Sequence, residues 1–213
     1  MQISVAGQSS ITLPAECVIV SVTLGFTGDD RAAVMRDTAA LADTVRAKLD
    51  AVVADEGGSD ARLTGLRTWT KIRYDDKGRP QEPQHVAEVR GSVRVKDLSR
   101  VAGFLGDLSS TDGVQIGSLD WRLYDETLAS RKPEVLAGAY ANAVERAEWI
   151  AKAAGKRVLE VTSIEDGGAV SYAQPRMRMA AAMAYDESAP AFDLDPEDVE
   201  VSASLNVRFE AVE

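Results

Sequence analysis

Cys17-Val18-Ile19-Val20-Ser21-Val22-Thr23-Leu24-Gly25-Phe26 is the stretch on which the reading of the fold turns. Val18, Val20, Val22, Leu24 and Phe26 fall on one side of an extended chain and Cys17, Ile19, Ser21 and Thr23 on the other, the period of two that marks a strand with one buried face. Directly afterwards the period changes. Gly28, Asp29 and Asp30 offer a helix start with capping carboxylates, and Val34, Leu41, Val45, Leu49 and Val52 then recur at helical spacing as far as Gly57 and Gly58. A half-buried strand feeding a long amphipathic helix points to an α+β protein.

Toward the N-terminus, Gln2 to Leu13 predicts a strand interrupted by Gly7 and the small polar residues Gln8 to Ser10, and closed by Pro14. Toward the C-terminus, Leu66 to Tyr74 and His85 to Val95 alternate around the polar segment Asp75 to Gln84, which holds Gly78, Pro80 and Pro83. This pattern predicts a hairpin over 66–95 with a long exposed loop, free to project from the body. Asp97 caps a short helix carrying Leu98, Val101, Ala102, Leu105 and Leu108, and Asp112-Gly113 ends it before a strand with Ile116, Leu119, Trp121 and Leu123. Between about Glu126 and Ala154 an apolar stripe runs through Val135, Leu136, Ala139, Tyr140, Ala143, Val144, Ala147, Ile150 and Ala151, with Gly155 as the stop. Its small residues predict close packing on a sheet.

Arg157 to Ile164 reads as a strand, Gly167-Gly168 as a turn, and Ser171 to Ala184 as a Met- and Ala-rich segment that Pro175 restricts to an edge strand at most. An acidic loop from Asp186 leads to a closing strand, Val199 to Phe209, that alternates throughout. The expected architecture is antiparallel sheets packed with two long helices and one short helix. No composition break marks a linker, so residues 1–213 are expected to form one domain. Strand–helix–strand occurs twice, over Glu16–Tyr74 and Val114–Ile164, as a pseudo-repeat without sequence identity.

The 213 residues are enough to bury roughly 70% of the unfolded surface. A hydrophobic share of 45% against 27% charged residues is that of an ordinary globular chain. Apolar runs such as Cys17–Val20 and Met179–Ala184 fall far short of the ~20 residues that span a bilayer, so no membrane span is expected. Met1 is followed at once by the alternating Ile3 and Val5 where an export signal would place a basic end and an apolar run. With one cysteine as well, the expected setting is the cytoplasm. A net charge of −10 opposes a nucleic-acid partner.

Few residues carry candidate chemistry. His85 is the only histidine, which excludes a multi-histidine metal cluster and leaves a single general base or a surface hairpin residue. Cys17 is either a redox sensor or a small buried hydrophobe, and acidic Glu16 beside it favours the second. Asp186, Glu187, Asp193, Asp195, Glu197, Asp198 and Glu200 include no base, but Asp193-x-Asp195 lacks the glycine and distal glutamate of a calcium loop, so a solvated acidic loop is expected.

Two segments read as contact surfaces. Arg176, Met177, Arg178 and Met179 combine adaptable thioethers with cations, the composition of an assembly interface or of an edge strand with core-facing methionines. Trp69 alternates with Arg67, Lys71 and Arg73, a pattern suited to cation–π packing or a subunit contact. The chain holds no P-loop, G-x-G-x-x-G, G-x-S-x-G, H-E-x-x-H or C-x-x-C motif. No cofactor and no catalytic residue are therefore expected, and the alternative of a ligand pocket between helices and sheet would draw on Tyr74, His85, Trp121 or Tyr140.

The order of these signals resembles the SIMPL domain family over nearly the whole chain. The resemblance is carried by Ile3-Ser4-Val5-Ala6-Gly7, the strand and long helix after it, and the hairpin in which Tyr74, Gly78 and His85-Val86-Ala87 lead to Val93-x-Val95-x-Asp97-Leu98. It continues through Ala137, Ala139, Ala143, Ala147, Ala151 and Ala154-Gly155, then Val161-Thr162-Ser163-Ile164, and the closing strand Val199 to Phe209. The resemblance implies an α+β fold, self-assembly into homo-oligomers including ring-like or channel-like ones, and loose links to stress defence and protein partners in signalling. It brings no catalytic residues. Many bacterial members are exported, whereas no such signal is visible here. Where the family often has a glycine before the final strand, this chain has Asp195-Pro196-Glu197-Asp198.

Overall fold

The computed structural model describes residues 1–167, 171–173 and 195–212, over which the chain runs β1 (Gln2–Leu13), β2 (Cys17–Gly28), α1 (Arg31–Ala54), β3 (Gly58–Lys71) and β4 (Gln84–Val95). A 3-10 turn at Leu98–Arg100 leads into α2 (Val101–Ser109), followed by β5 (Val114–Arg122), α3 (Asp125–Ala153), β6 (Arg157–Asp166), β7 (Ser171–Ala173) and β8 (Val199–Val212). The strands form two antiparallel sheets, β3-β4-β2-β5 and β1-β8-β6, with β7 also on β8. Contacts divide the chain into two units. One comprises Glu16–Arg122; the other joins Met1–Ala15 to the stretch from Leu123 and the closing segment from Glu197.

In the first unit, Val18, Val20, Val22 and Leu24 are buried, as their alternation predicts, and α1 lies across β2, β3 and β4. Val34, Leu41, Val45 and Leu49 form its buried face, each side chain contributing about 1.5–3 kcal/mol by leaving water. The Asp30 carboxylate accepts the Ala32 N–H at 2.8 Å, which fixes the helix start. The stop differs from expectation: the chain turns at Glu56, with φ +58°, rather than at the glycines. Gly57 instead accepts the Lys96 N–H at 2.7 Å, and Gly58 opens β3, where a Cβ would stand 2.7 Å from the Arg94 carbonyl oxygen. The strand expected from Leu66 thus begins eight residues earlier, through an irregular stretch with register shifts between Ser59 and Arg62 and between Thr64 and Leu66. At Asp97 the expected cap is present, accepting the Ser99 N–H at 3.2 Å.

In the second unit, β8 is the central strand and buries Val199, Val201, Ala203, Leu205, Val207, Phe209 and Ala211. Helix α3 packs on β1 and β8 through Val135, Ala139, Ala143, Ala147 and Ala151. Tyr140 and Ile150, assigned to this stripe by spacing, are exposed. The helix is so close to the sheet that only the narrower alanine row fits beneath it. Its end is a Schellman turn: Gly155 at φ +67° donates to the Lys152 carbonyl at 3.1 Å and Lys156 to that of Ala151 at 2.8 Å.

β1 is continuous and pairs with β8 from Gln2 to Leu13, so the expected interruption is absent. Gly7 has a different role, because a Cβ there would overlap the Ala139 carbonyl oxygen and stand 2.7 Å from the Ala143 Cβ. Helix α3 also covers part of this edge strand. Asn142 Oδ1 accepts the Gln8 N–H at 3.1 Å and Arg146 donates to the Ala6 carbonyl.

The two strand–helix–strand stretches are not equivalent in pairing. β2 and β3 both pair with β4 in one sheet, whereas β5 pairs with β2 and β6 with β8 in the other.

Candidate functional site

The outer half of the β3–β4 hairpin carries four large apolar side chains in solvent within nine residues; Tyr140, Trp149, Ile150 and Ile164 of the other unit are exposed as well, spread over α3 and β6. From Leu66 to Lys71 the register runs unbroken opposite Val89 to Gln84. Leu66, Thr68 and Thr70 face the α1 side, paired with Val89, Ala87 and His85, while Arg67, Trp69 and Lys71 share the opposite face with Glu88, Val86 and Gln84. Leu66 is 53% exposed, Trp69 43%, Ile72 53% and Tyr74 65%.

The connection beyond them is ordered by Asp75. Its carboxylate accepts the N–H groups of Lys77 at 2.9 Å and Arg79 at 2.8 Å, and Gly78 turns the chain at φ +71°. Gln81 donates to the Arg73 carbonyl at 2.8 Å, and Tyr74 bridges Pro80. The loop therefore extends the hairpin and holds Tyr74 outward.

The charges here are unevenly neutralised. Glu88, directly across from Arg67, is bonded to Arg90 at 3.1 Å instead. Arg94 Nε sits 3.5 Å from Asp60, an ion-pair distance without hydrogen-bond geometry. Among the described residues Arg67, Lys71 and Arg73 have no carboxylate at ion-pair distance. Trp69 and Val86 border a depression of about 230 Å³ that Gly25 and Phe26 of β2 also line.

His85 lies on the hairpin with Nδ1 3.5 Å from Thr70 Oγ1, and with Arg31, Met35 and Thr68 it lines a hollow of about 120 Å³, below the usual range for ligand pockets. Within the first unit the pocket residues named from the sequence stand apart, with His85 opposite Gly28 at one end of β2 and Trp121 opposite Val18 at the other. Tyr74 is on the loop, Trp121 is buried in β5, and Tyr140 is exposed on α3 in the other unit. Each long helix covers its own sheet.

Cys17 is 1% exposed, with Sγ 3.7 Å from the Arg122 carbonyl oxygen. Burial pushes its thiol pKa up, more than the guanidinium of Arg94 pulls it down; Glu16 and Asp120 push the same way as burial and Arg122 opposes them. A raised pKa means less thiolate at any given pH. Alkylation by iodoacetamide at pH 8 is therefore expected to be at least about tenfold slower in the native protein than in urea. Equal rates would revive the redox-sensor reading.

Arg176, Met177, Arg178 and Met179 lie outside the described residues, as do Asp186, Glu187 and Asp193. Asp195, Glu197 and Asp198 precede β8, and Glu200 lies within it opposite Thr12. Among the described residues no group of three or more His, Cys, Asp or Glu could hold a metal ion, and no helix is long and apolar enough to cross a membrane.

Two helix-backed antiparallel sheets, one carrying an exposed aromatic and cationic hairpin, define an α+β protein whose most distinctive surface is a strand pair. The chain belongs to the SIMPL family, described as a protein of unknown function (DUF541), whose model matches residues 3–209. No curated protein matches it at a significant level.

Proposed function

We propose that this SIMPL protein is a non-enzymatic interaction module that associates with other protein surfaces, its own copies included, through the outer half of the β3–β4 hairpin. The observation that carries the reading is the concentration of Leu66, Trp69, Ile72 and Tyr74 in solvent on one ordered hairpin, whereas the core residues of both sheets are buried. Exposed aromatic residues beside arginine are the composition of binding hot spots. A single buried cysteine suits a reducing compartment, so the proposed setting is the cytoplasm.

Light scattering coupled to size exclusion tests self-association. Wild type is expected to gain mass as its concentration rises, and the Leu66→Ser/Ile72→Ser variant to remain monomeric. A wild type that is strictly monomeric at high micromolar concentration would sink self-association.

A further inference from the structure

We infer that the outer edge of β3, over Leu66–Lys71, accepts an acidic, extended segment of a partner protein by strand addition. This rests on the reading of the hairpin as a contact surface and names the chemistry of what binds there.

Among the described residues the edge is open, and it is regular. β3 is the terminal strand of its sheet, no described strand pairs on its outer side, and both register shifts lie before Leu66. Six residues at about 3.3 Å each give an uninterrupted template of roughly 20 Å. Such an edge is expected to pair with another strand unless something prevents it.

Charge selects the partner. The protein as a whole carries −10, yet Arg67 and Lys71 stand on this edge, with Arg73 just past it, and none of the three has a carboxylate at ion-pair distance among the described residues. Cations on an edge ordinarily protect it against pairing with its own kind, because two such edges would place like charges opposite each other. That protective reading accounts for Arg67 and Lys71 but not for Trp69 between them. Trp69 is 43% exposed on a face where a polar residue would serve protection better. Together the three residues describe a complementary strand: carboxylates two residues either side of an apolar group, meeting Arg67 and Lys71 while that group covers Trp69. Backbone hydrogen bonds supply affinity, and the alternating side chains supply specificity.

The test uses the full chain and a fluorescein-labelled peptide built on Asp-Thr-Leu-Thr-Asp, blocked at both ends, which puts both aspartates and the leucine on one face of an extended strand. Fluorescence anisotropy should show binding that weakens as salt is added. Replacing the aspartates by asparagine should weaken it at least about tenfold, as should Arg67→Glu/Lys71→Glu in the protein. Amide exchange should slow at Leu66–Lys71 on peptide addition.

Equal binding of the asparagine peptide would overturn the inference, and so would binding that survives the charge reversal. An oligothymidylate of equal charge that binds as well, without slowing exchange in β3, would show a general anion site and also overturn it. Failure of the peptide while Leu66→Ser/Ile72→Ser still abolishes self-association would defeat this inference alone. Peptide binding by a strictly monomeric protein would defeat only the self-association.

Discussion

Replacing Gly7 by alanine is expected to destabilise the unit built on β1, β8 and α3 by more than about 3 kcal/mol, the upper end of what overpacking costs. The added methyl would overlap the Ala139 carbonyl oxygen and crowd the Ala143 amide nitrogen and Cβ at 2.7 Å. Two of these are backbone atoms of a helix, which can yield only if α3 moves off the sheet. That movement would also part Asn142 from the Gln8 N–H, uncovering the β1 edge.

Gly138→Ala is the control. Its methyl would press on the Ser9 hydroxyl, which can rotate away, and stand 2.9 Å from the Ser9 Cβ, which is relieved only by a small shift of β1 against α3. The helix-propensity gain of about 1 kcal/mol for replacing a mid-helix glycine offsets much of the crowding. Urea unfolding should therefore show a large fall in midpoint for Gly7→Ala, with a small change for Gly138→Ala and a shared slope. Equal midpoints for the two variants would show that the close approach at Gly7 does not constrain the fold.

Phe209→Ala should cost about 3–5 kcal/mol. Phe209 is 2% exposed on the central strand, opposite Ile3 of β1 and Val161 of β6, so its ring fills space between both neighbours at once. Phe209→Leu keeps most of that volume and should cost less than about 1.5 kcal/mol, the usual limit for swaps that conserve volume. Thermal unfolding of the pair separates a filled core from a loose one. Similar, small losses for both would mean that this part of the core repacks freely.

Much of the architecture was legible because its signals are local and periodic. The alternation of β2 and β8, the helical spacing in α1, the alanine row of α3 and the caps at Asp30, Asp97 and Gly155 each follow from neighbours a few residues apart. The first half of β3 was not legible. Gly58, Asp60 and Gly65 look like breaks, and only the partner strand β4 shows that Asp60 at φ +57° and Gly65 at φ +58° belong to irregularities within a strand. The same limit applies to Tyr140 and Ile150, since helical spacing gives the direction of a face but not its width.

Trp69 was recognisable as a contact candidate from its alternation with Arg67, Lys71 and Arg73. Its exposure, the engagement of Glu88 by Arg90 and the terminal place of β3 in its sheet could be known only from the pairing.

By itself, then, the sequence determined the α+β class, the faces of the main strands and helices, and the family, because burial periodicity and capping act over one or two turns of chain. The tertiary structure alone decided that β5 and β6 lie in different sheets, that Gly7 is a point of close contact rather than a break, and which hairpin residues remain in solvent. Those outcomes depend on which distant segments meet, as when residue 7 meets residues 139 and 143, and no local period encodes that choice.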